Sequence, residues 1–564
     1  MDRKALIVLV LCGVVMLLYY PFILPLFSPK KPKEDVKSED VTGKARESTG
    51  ALQSKPASMQ PSPSVHPQAD IPPKEGVIEN NLLQLTWTNE GAALKSIILK
   101  EFKDADAKET LDLIKKGITT EYYPLAISEL FQEANFQKQR YTVAEQNAQK
   151  VVFTARLKEG VNLIKTISLS PDKYHADMDI LLENTTDSEI SLTYNIVASS
   201  LITHEGEISS DMAAVTGIDM GNKRMKLART ALKEFPGRNE SVGIVWSGSM
   251  NKYFAVILKP VSSDWVSSTS SHAFDIHGIP SNEKAEQGDF MVGMQSNKLR
   301  IPPHDAVKHS YILFTGPKKE EVLTQYDTMS GLLSYGWLNA ISKVLLTFLN
   351  AVHRVIPNYG VSIILMTIII KIILFPLTKK SQVSMFRMQQ LQPMINQMKE
   401  KYKNDKQRMG KEQVHLFKKY GVNPMSGCLP MVLQIPVFFA LFRTLQLSFE
   451  MRQAHFVSWI VDLSRPDTLL TLSFSIPFLG NALNILPLIM TGASVAQMKL
   501  TPKAPAADPQ AQAQQKMMSF MPIMFAFILY RMPSGLTVYW TVSTILSIIE
   551  GIVIRRGLKK VRIH

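Results

Sequence analysis

The stretch "YGVSIILMTIIIKIILFPLTKK", Tyr359–Lys380, decides the fold class. Its apolar run is long enough to cross the roughly 30 Å hydrocarbon core of a bilayer as a helix. One residue interrupts it, Lys371. A lysine near the centre of a span costs roughly 2.5–3.5 kcal/mol on insertion scales, so its surroundings must compensate. Snorkelling is the simplest device, but the boundary cation Lys379 lies about 12 Å further along the helix, and a lysine side chain covers only part of that distance. An intramembrane ion pair has one main candidate partner, Glu550. The third device is a water-filled cavity open to one side. Thr367 lies one turn before Lys371 on the same face, Gln434 sits inside another apolar run, and Tyr539, Ser543, Ser547 and Glu550 form a polar stripe at helical spacing. Such groups favour a cavity, yet they also serve as ordinary hydrogen bonds between helices. Spacing alone does not separate the two.

Further apolar runs follow on both sides. The spans expected are about Gly360–Leu377, Met425–Leu447, Leu483–Gln497, Met517–Tyr530 and Leu536–Ile554, several of them broken by proline. Near the N-terminus, Arg3 and Lys4 precede the run Ala5–Phe27, with Tyr19, Tyr20, Pro21 and Pro25 where a cleavage site would need small residues. It reads as an uncleaved anchor over 1–27, the sixth span. The net charge of +14 is unevenly placed. The loop after the Tyr359 run carries eleven basic residues from Lys379 to Lys419, and the tail carries Arg555, Arg556, Lys559, Lys560 and Arg562. The loop after the next span is nearly neutral. The positive-inside rule therefore puts the basic loop and both termini in the cytoplasm and the large polar region outside it.

That region divides by pattern. Residues 28–75 are rich in Pro, Lys, Ser and Glu and read as an extended linker. Over 76–330 the period becomes two. Leu83, Leu85 and Trp87 share a face before a turn at Asn89–Gly91, two strands flank Glu159–Gly160, and Ala176, Met178, Ile180 and Leu182 alternate before a turn at Asn184–Asp187. Many short strands between turns predict a large β-sandwich. Its carboxylates and histidines are scattered, with no metal-ligand or nucleophile spacing, so no cofactor is expected there. The two cysteines, Cys12 and Cys428, lie in or beside apolar runs, and the β region has no disulfide framework. Over 331–356, Trp337, Ile341, Val344, Leu345, Phe348 and Val352 predict an amphipathic helix in the membrane interface, with Asn339, Ser342, Lys343, Asn350 and Arg354 on its other side. Residues 379–424 read as a helical hairpin joined near Asn404–Asp405. Met388, Leu391, Ile395 and Met398 stripe its first helix, either packed on the second or left for partners.

Three segments carry a family resemblance: "FPLTKKSQVSMFRMQQLQP" (Phe375–Pro393), "YGVNPMSGCLPMVLQIPVFFALF" (Tyr420–Phe442) and "MPSGLTVYWTVST" (Met532–Thr544). They closely resemble the YidC family of membrane protein insertases, and the resemblance extends over the whole chain in order. It implies an α+β membrane protein of the bacterial inner membrane, six-span, with a large periplasmic β-supersandwich domain and a five-span core over 357–564. It also implies a groove open to cytoplasm and lipid at the position of Lys371, beside a substrate slide whose positions match Gln434, Phe438, Ile528, Tyr539 and Trp540. From their polarity and spacing Thr367, Gln434 and Ser543 are read as helping Lys371 hold water in that groove. Family members usually carry arginine at the position of Lys371. Here the charge is kept and the bidentate fork is lost. The partners implied are nascent inner-membrane proteins, membrane lipids, the SecYEG translocon and the ribosome, reached by the cytoplasmic loop and tail, with no specific nucleic-acid site. No GxxxxGK[ST] motif is present to bind ATP. A secondary transporter with an intramembrane solute site is the rival reading, and it predicts paired broken helices that the sequence does not display.

Overall fold

Period-two alternation becomes burial in the first half of the structure. The computed structural model describes residues 71–558 apart from 116–119, 131–132, 135, 158–159, 206–211, 222–224, 241–242, 275–279, 282–288, 334–337, 403–404, 424–428, 478 and 501–519. The anchor, the linker as far as residue 70, Trp337, Cys428 and the tail beyond residue 558 lie outside the described residues. Leu83, Leu85 and Trp87 are buried on the strand Leu83–Thr88, as are Ala176, Met178, Ile180 and Leu182 on His175–Asn184. The turn between Leu83–Thr88 and Ala93–Lys103 is held by Asn89, whose side chain accepts from Lys74 N and donates to Tyr141 O. Gly91 in that turn has φ +68°, and a Cβ there would stand 2.8 Å from the Gln137 carbonyl oxygen.

A nine-stranded antiparallel sheet runs in the spatial order Met225–Ala231, Ala213–Asp219, Ile244–Met250, Phe254–Pro260, Ala306–Pro317, His175–Asn184, Val161–Leu169, Lys150–Arg156, Thr142–Gln146. A seven-stranded sheet is built around Val266–Phe274, Phe290–Ser296 and Tyr194–Ser200, and a four-stranded sheet opens with Glu75–Glu79. The two large sheets face one another. Thr216 of the first meets Thr269 of the second at 3.2 Å, and Tyr194 Oη lies 2.6 Å from His309 Nδ1. One apolar core joins them, from Phe153, Leu163 and Met178 to Ile196, Phe290 and Met294. The sandwich expected from the pattern is present.

The second half is helical. Helix α1 (Asn339–Val355) is amphipathic. Ser342, Leu345, Leu346 and Leu349 are buried, while Ile341 and Val344 are 42% and 69% exposed. On the buried side Ser342 donates to the Ala440 carbonyl at 3.2 Å, and Ile341 and Val344 form an outward apolar stripe. Helix α2 (Tyr359–Gln390) starts at the Asn358 cap, whose side chain accepts from Val361 N and donates to Phe456 O. A Cβ on Gly360 would run into the Phe456 ring at 1.9 Å, so glycine lets the helix end dock on that loop.

Helix α2 extends well past Leu377, through Pro376, Lys379 and Lys380. Its 32 residues give about 48 Å, more than a bilayer core requires. Helices α3 (Gln392–Lys401) and α4 (Lys406–Lys419) form the hairpin, α4 being capped by Asp405. Met388, Leu391 and Ile395 pack on Phe417 and Val422, so most of the stripe is spent within the hairpin. Met394 remains 41% exposed. Then come α5 (Leu429–Leu447), α6 (Leu486–Leu500), α7 (Phe520–Leu529) and α8 (Ser534–Leu558). The fourth run begins later than expected, because Leu483 and Asn484 belong to a short β-hairpin, Thr468–Ile476 with Gly480–Asn484. Among the described residues, α2 and α8 are both long and apolar enough to cross a membrane.

Candidate functional site

The polar residues inside the helical bundle converge on α8. Tyr539 and Ser547 are eight positions apart, close to two helical turns, so one face of α8 presents both. Gln434 of α5 donates its Nε2 to the Tyr539 hydroxyl. Lys371 of α2 donates its Nζ to Ser547 Oγ at 2.6 Å, and Ser547 Oγ donates in turn to the Ser543 carbonyl at 2.9 Å. The stripe on α8 is therefore shared between α5 at one end and α2 at the other, with Ser543 half-buried between them. Lys371 and Glu550 make no contact at ion-pair distance, although their charges act on one another. The ammonium takes a hydroxyl, and Glu550 Oε2 is buried with no hydrogen-bond partner among the described residues. Thr367 stands apart from this set. It is 1% exposed, and its hydroxyl donates to its own helix at Ile363 O.

An aromatic seam lies alongside. Phe438 of α5 meets Trp540 of α8 edge-on at 5.0 Å, and Phe525 of α7 lies 5.0 Å from the same indole. Such pairs are each worth about 0.5–1.5 kcal/mol beyond burial. Ile528 of α7 is half-buried. Tyr539, assigned to the slide by resemblance, is 1% exposed and turned inward to Gln434. The outward apolar face of α7 consists instead of Phe520, Ile523, Met524 and Phe527, with Phe520 64% and Phe527 55% exposed. Sequence reasoning missed these four. Their i, i+3, i+4, i+7 spacing was the available signal.

The family follows from comparison. Residues 76–348 match the family described as YidC periplasmic domain, and residues 351–561 match the one described as 60Kd inner membrane protein. A protein named membrane protein insertase YidC from Syntrophus aciditrophicus is 31% identical, over 97% of this chain and 98% of its own. The chain belongs to the YidC family. A YidC relative from Pelobacter propionicus is 32% identical over the same shares of both chains. A solved structure titled active YidC insertase, with its first transmembrane domain resolved, aligns with 84% of this chain and 92% of its own at 20% identity and a TM-score of 0.34. As a YidC family member the chain is an α+β inner-membrane protein with a periplasmic domain, and the family is one of insertases rather than enzymes. Membership does not favour the transporter reading.

Proposed function

We propose that this chain inserts integral inner-membrane proteins and helps them fold, alone or with SecYEG, through a hydrophilic groove between α2, α5 and α8 that opens to cytoplasm and lipid. One observation carries the groove. An ammonium, two serines and a carboxylate oxygen without a described protein partner share one patch of an otherwise apolar bundle. Buried polar atoms without protein partners are satisfied by water. A wet pocket reaching part of the way across the bilayer shortens the dry path for the polar flank of an inserting segment. The driving force comes from the substrate, through transfer of about 20 apolar residues into lipid. The membrane potential adds about 2.3 kcal/mol per charge per 100 mV.

In this scheme Lys371 supplies positive charge at the floor of the groove and transiently attracts acidic groups in the translocated flank. Its single hydrogen bond to Ser547 needs no guanidinium fork, which fits lysine at this position. Phe438, Trp540 and Ile528, continued by the exposed face of α7, form the apolar slide on which the substrate helix leaves for lipid. The six-span arrangement, with Ala5–Phe27 as anchor, has cytoplasmic termini and puts the α3–α4 hairpin and the basic tail on the ribosome side. Charge placement supports that orientation. Photo-crosslinkers at Phe438 and Trp540 should capture stalled nascent chains of inner-membrane proteins while their first span is emerging. Crosslinks to lipid alone would leave the groove without its substrate.

A further inference from the structure

The hairpin Thr468–Ile476/Gly480–Asn484 has no counterpart in the sequence reading, and its chemistry is unusual. Its 17 residues, Thr468–Asn484, contain no Asp, Glu, Lys or Arg. Along Thr468–Ile476, Leu470, Leu472 and Phe474 alternate with Thr471, Ser473 and Ser475; Leu469 falls on the hydroxyl side, and the pairing is irregular between Thr468 and Leu470 and between Thr471 and Ile476. Phe474 is 62% and Leu470 44% exposed. A lone two-stranded ribbon is marginal in water, and proteins normally guard exposed edge strands with charge. Among the described residues this one has no third strand and no charge of its own, though Arg531 lies against its turn at Gly480.

Its base, by contrast, is firmly built. Asn484 donates Nδ2 to Tyr530 O at 2.6 Å, its backbone N–H donates to Tyr530 Oη, and Tyr530 Oη donates to Ala482 O at 2.9 Å. Asp467 accepts from Leu486 N, the first residue of α6. The ribbon thus leaves the bundle where α6 begins and where α7 turns into α8. The same loop reaches the β domain through Arg452 and Glu205. Exposed apolar surface continues from the ribbon onto α6 at Leu488 and Ile489, 52% and 47% exposed.

We propose that this hairpin rests in the interface of the leaflet on the β-domain side, with its Leu470–Phe474 face in the upper acyl region and its hydroxyl face toward headgroups and water. Open strand edges are excluded from the hydrocarbon interior. The ribbon therefore lies shallow, its apolar face about 5–10 Å below the surface, as for interfacial helices. Having no basic residue of its own, it holds to lipid chiefly through apolar contact. The inference rests on α2, α6 and α8 being in the membrane, and its test carries an internal reference for that.

The full chain with Cys12→Ser and Cys428→Ser is spin-labelled at Phe474→Cys, Ser473→Cys or Ile372→Cys and reconstituted in phosphatidylcholine vesicles with and without phosphatidylglycerol. Collision with oxygen is compared with collision with a water-soluble nickel chelate. Position 474 should favour oxygen several-fold more than 473, and less than 372 does, in both lipid mixtures. Equal nickel access at 473 and 474, with 372 shielded, overturns the proposal. Strong dipolar broadening between labels at 474 would put a second copy on the ribbon and overturn it as well. Nickel access at 372 would overturn the membrane reading of α2, and the inference with it.

Discussion

Lys371 and Lys165 both sit among apolar residues, and they differ in what satisfies them. Lys165 sits on the strand Val161–Leu169 at an inward position, 0% exposed, and donates to the carbonyls of Ala92 and Leu125. Burial pushes its ammonium down from 10.5 to about 7. Between those values the unfolded chain binds the proton and the folded one does not, so this residue makes stability rise with pH above about 7 and leaves it flat below. Lys165→Met should abolish that rise, as read from melts of the detergent-solubilised chain near neutral pH and above pH 9; an unchanged slope would refute the assignment. For Lys371 the expectation concerns charge. Lys371→Arg should insert substrates nearly as well as the parent, while Lys371→Ala and Lys371→Glu should impair insertion, most for substrates with acidic translocated flanks. Neutral behaviour of the alanine variant in an insertion assay would reduce Lys371 to an insertion burden. Lys371 was legible because a charge inside a long apolar run announces itself. Lys165 was not: its place in the alternation Val161, Leu163, Lys165, Ile167 points inward, but the carbonyls that allow it come from residues 73 and 40 positions away.

Elements were legible where one period governed them, and misread where a neighbour decided. The strands around Gly160 and the turn at Asn89–Gly91 follow from local pattern alone. The side of α1 that packs on the bundle does not, and Ser342 lies on it with a hydrogen bond to Ala440 O. Helix α2 outruns its apolar stretch, and Met388 near its end packs in one cluster with Leu391, Ile395 and Phe417. The ribbon at Thr468–Asn484 hides in a span-like run, since alternating Leu, Phe and Ile without charge looks like the edge of a transmembrane segment. The junction between the β domain and the bundle is a further case. Arg452, after α5, pairs with Glu205 at 2.8 Å, with side chains only 5% and 3% exposed, and also donates to Lys103 O. Gln453 beside it donates to Asp104 O at 2.7 Å. Removing one partner of a buried pair leaves the other uncompensated, at a cost of about 3–5 kcal/mol. Arg452→Ala should therefore loosen the junction and hasten proteolysis there, whereas Arg452→Met combined with Glu205→Leu should recover much of the loss. A single variant as resistant as the parent would show that the pair holds nothing together.

At the scale of the whole molecule, the account joins a β domain fastened to one end of a helical bundle, a basic helical hairpin on α3 and α4, and a polar patch between α2, α5 and α8. Fold class and family were readable from the apolar runs, the charge asymmetry and three long motifs. The meeting of Gln434 with Tyr539 and of Lys371 with Ser547 was not, since helix rotation is set by packing that no single helix encodes. The central claim is that this patch is a groove open to the cytoplasm. It is tested most directly by placing a single cysteine at Lys371, with Cys12 and Cys428 replaced by serine, and offering a membrane-impermeant maleimide from each side of oriented membranes. The account predicts rapid labelling from the cytoplasmic side and none from the periplasm. Protection from both sides, in a variant that still inserts its substrates, would contradict it.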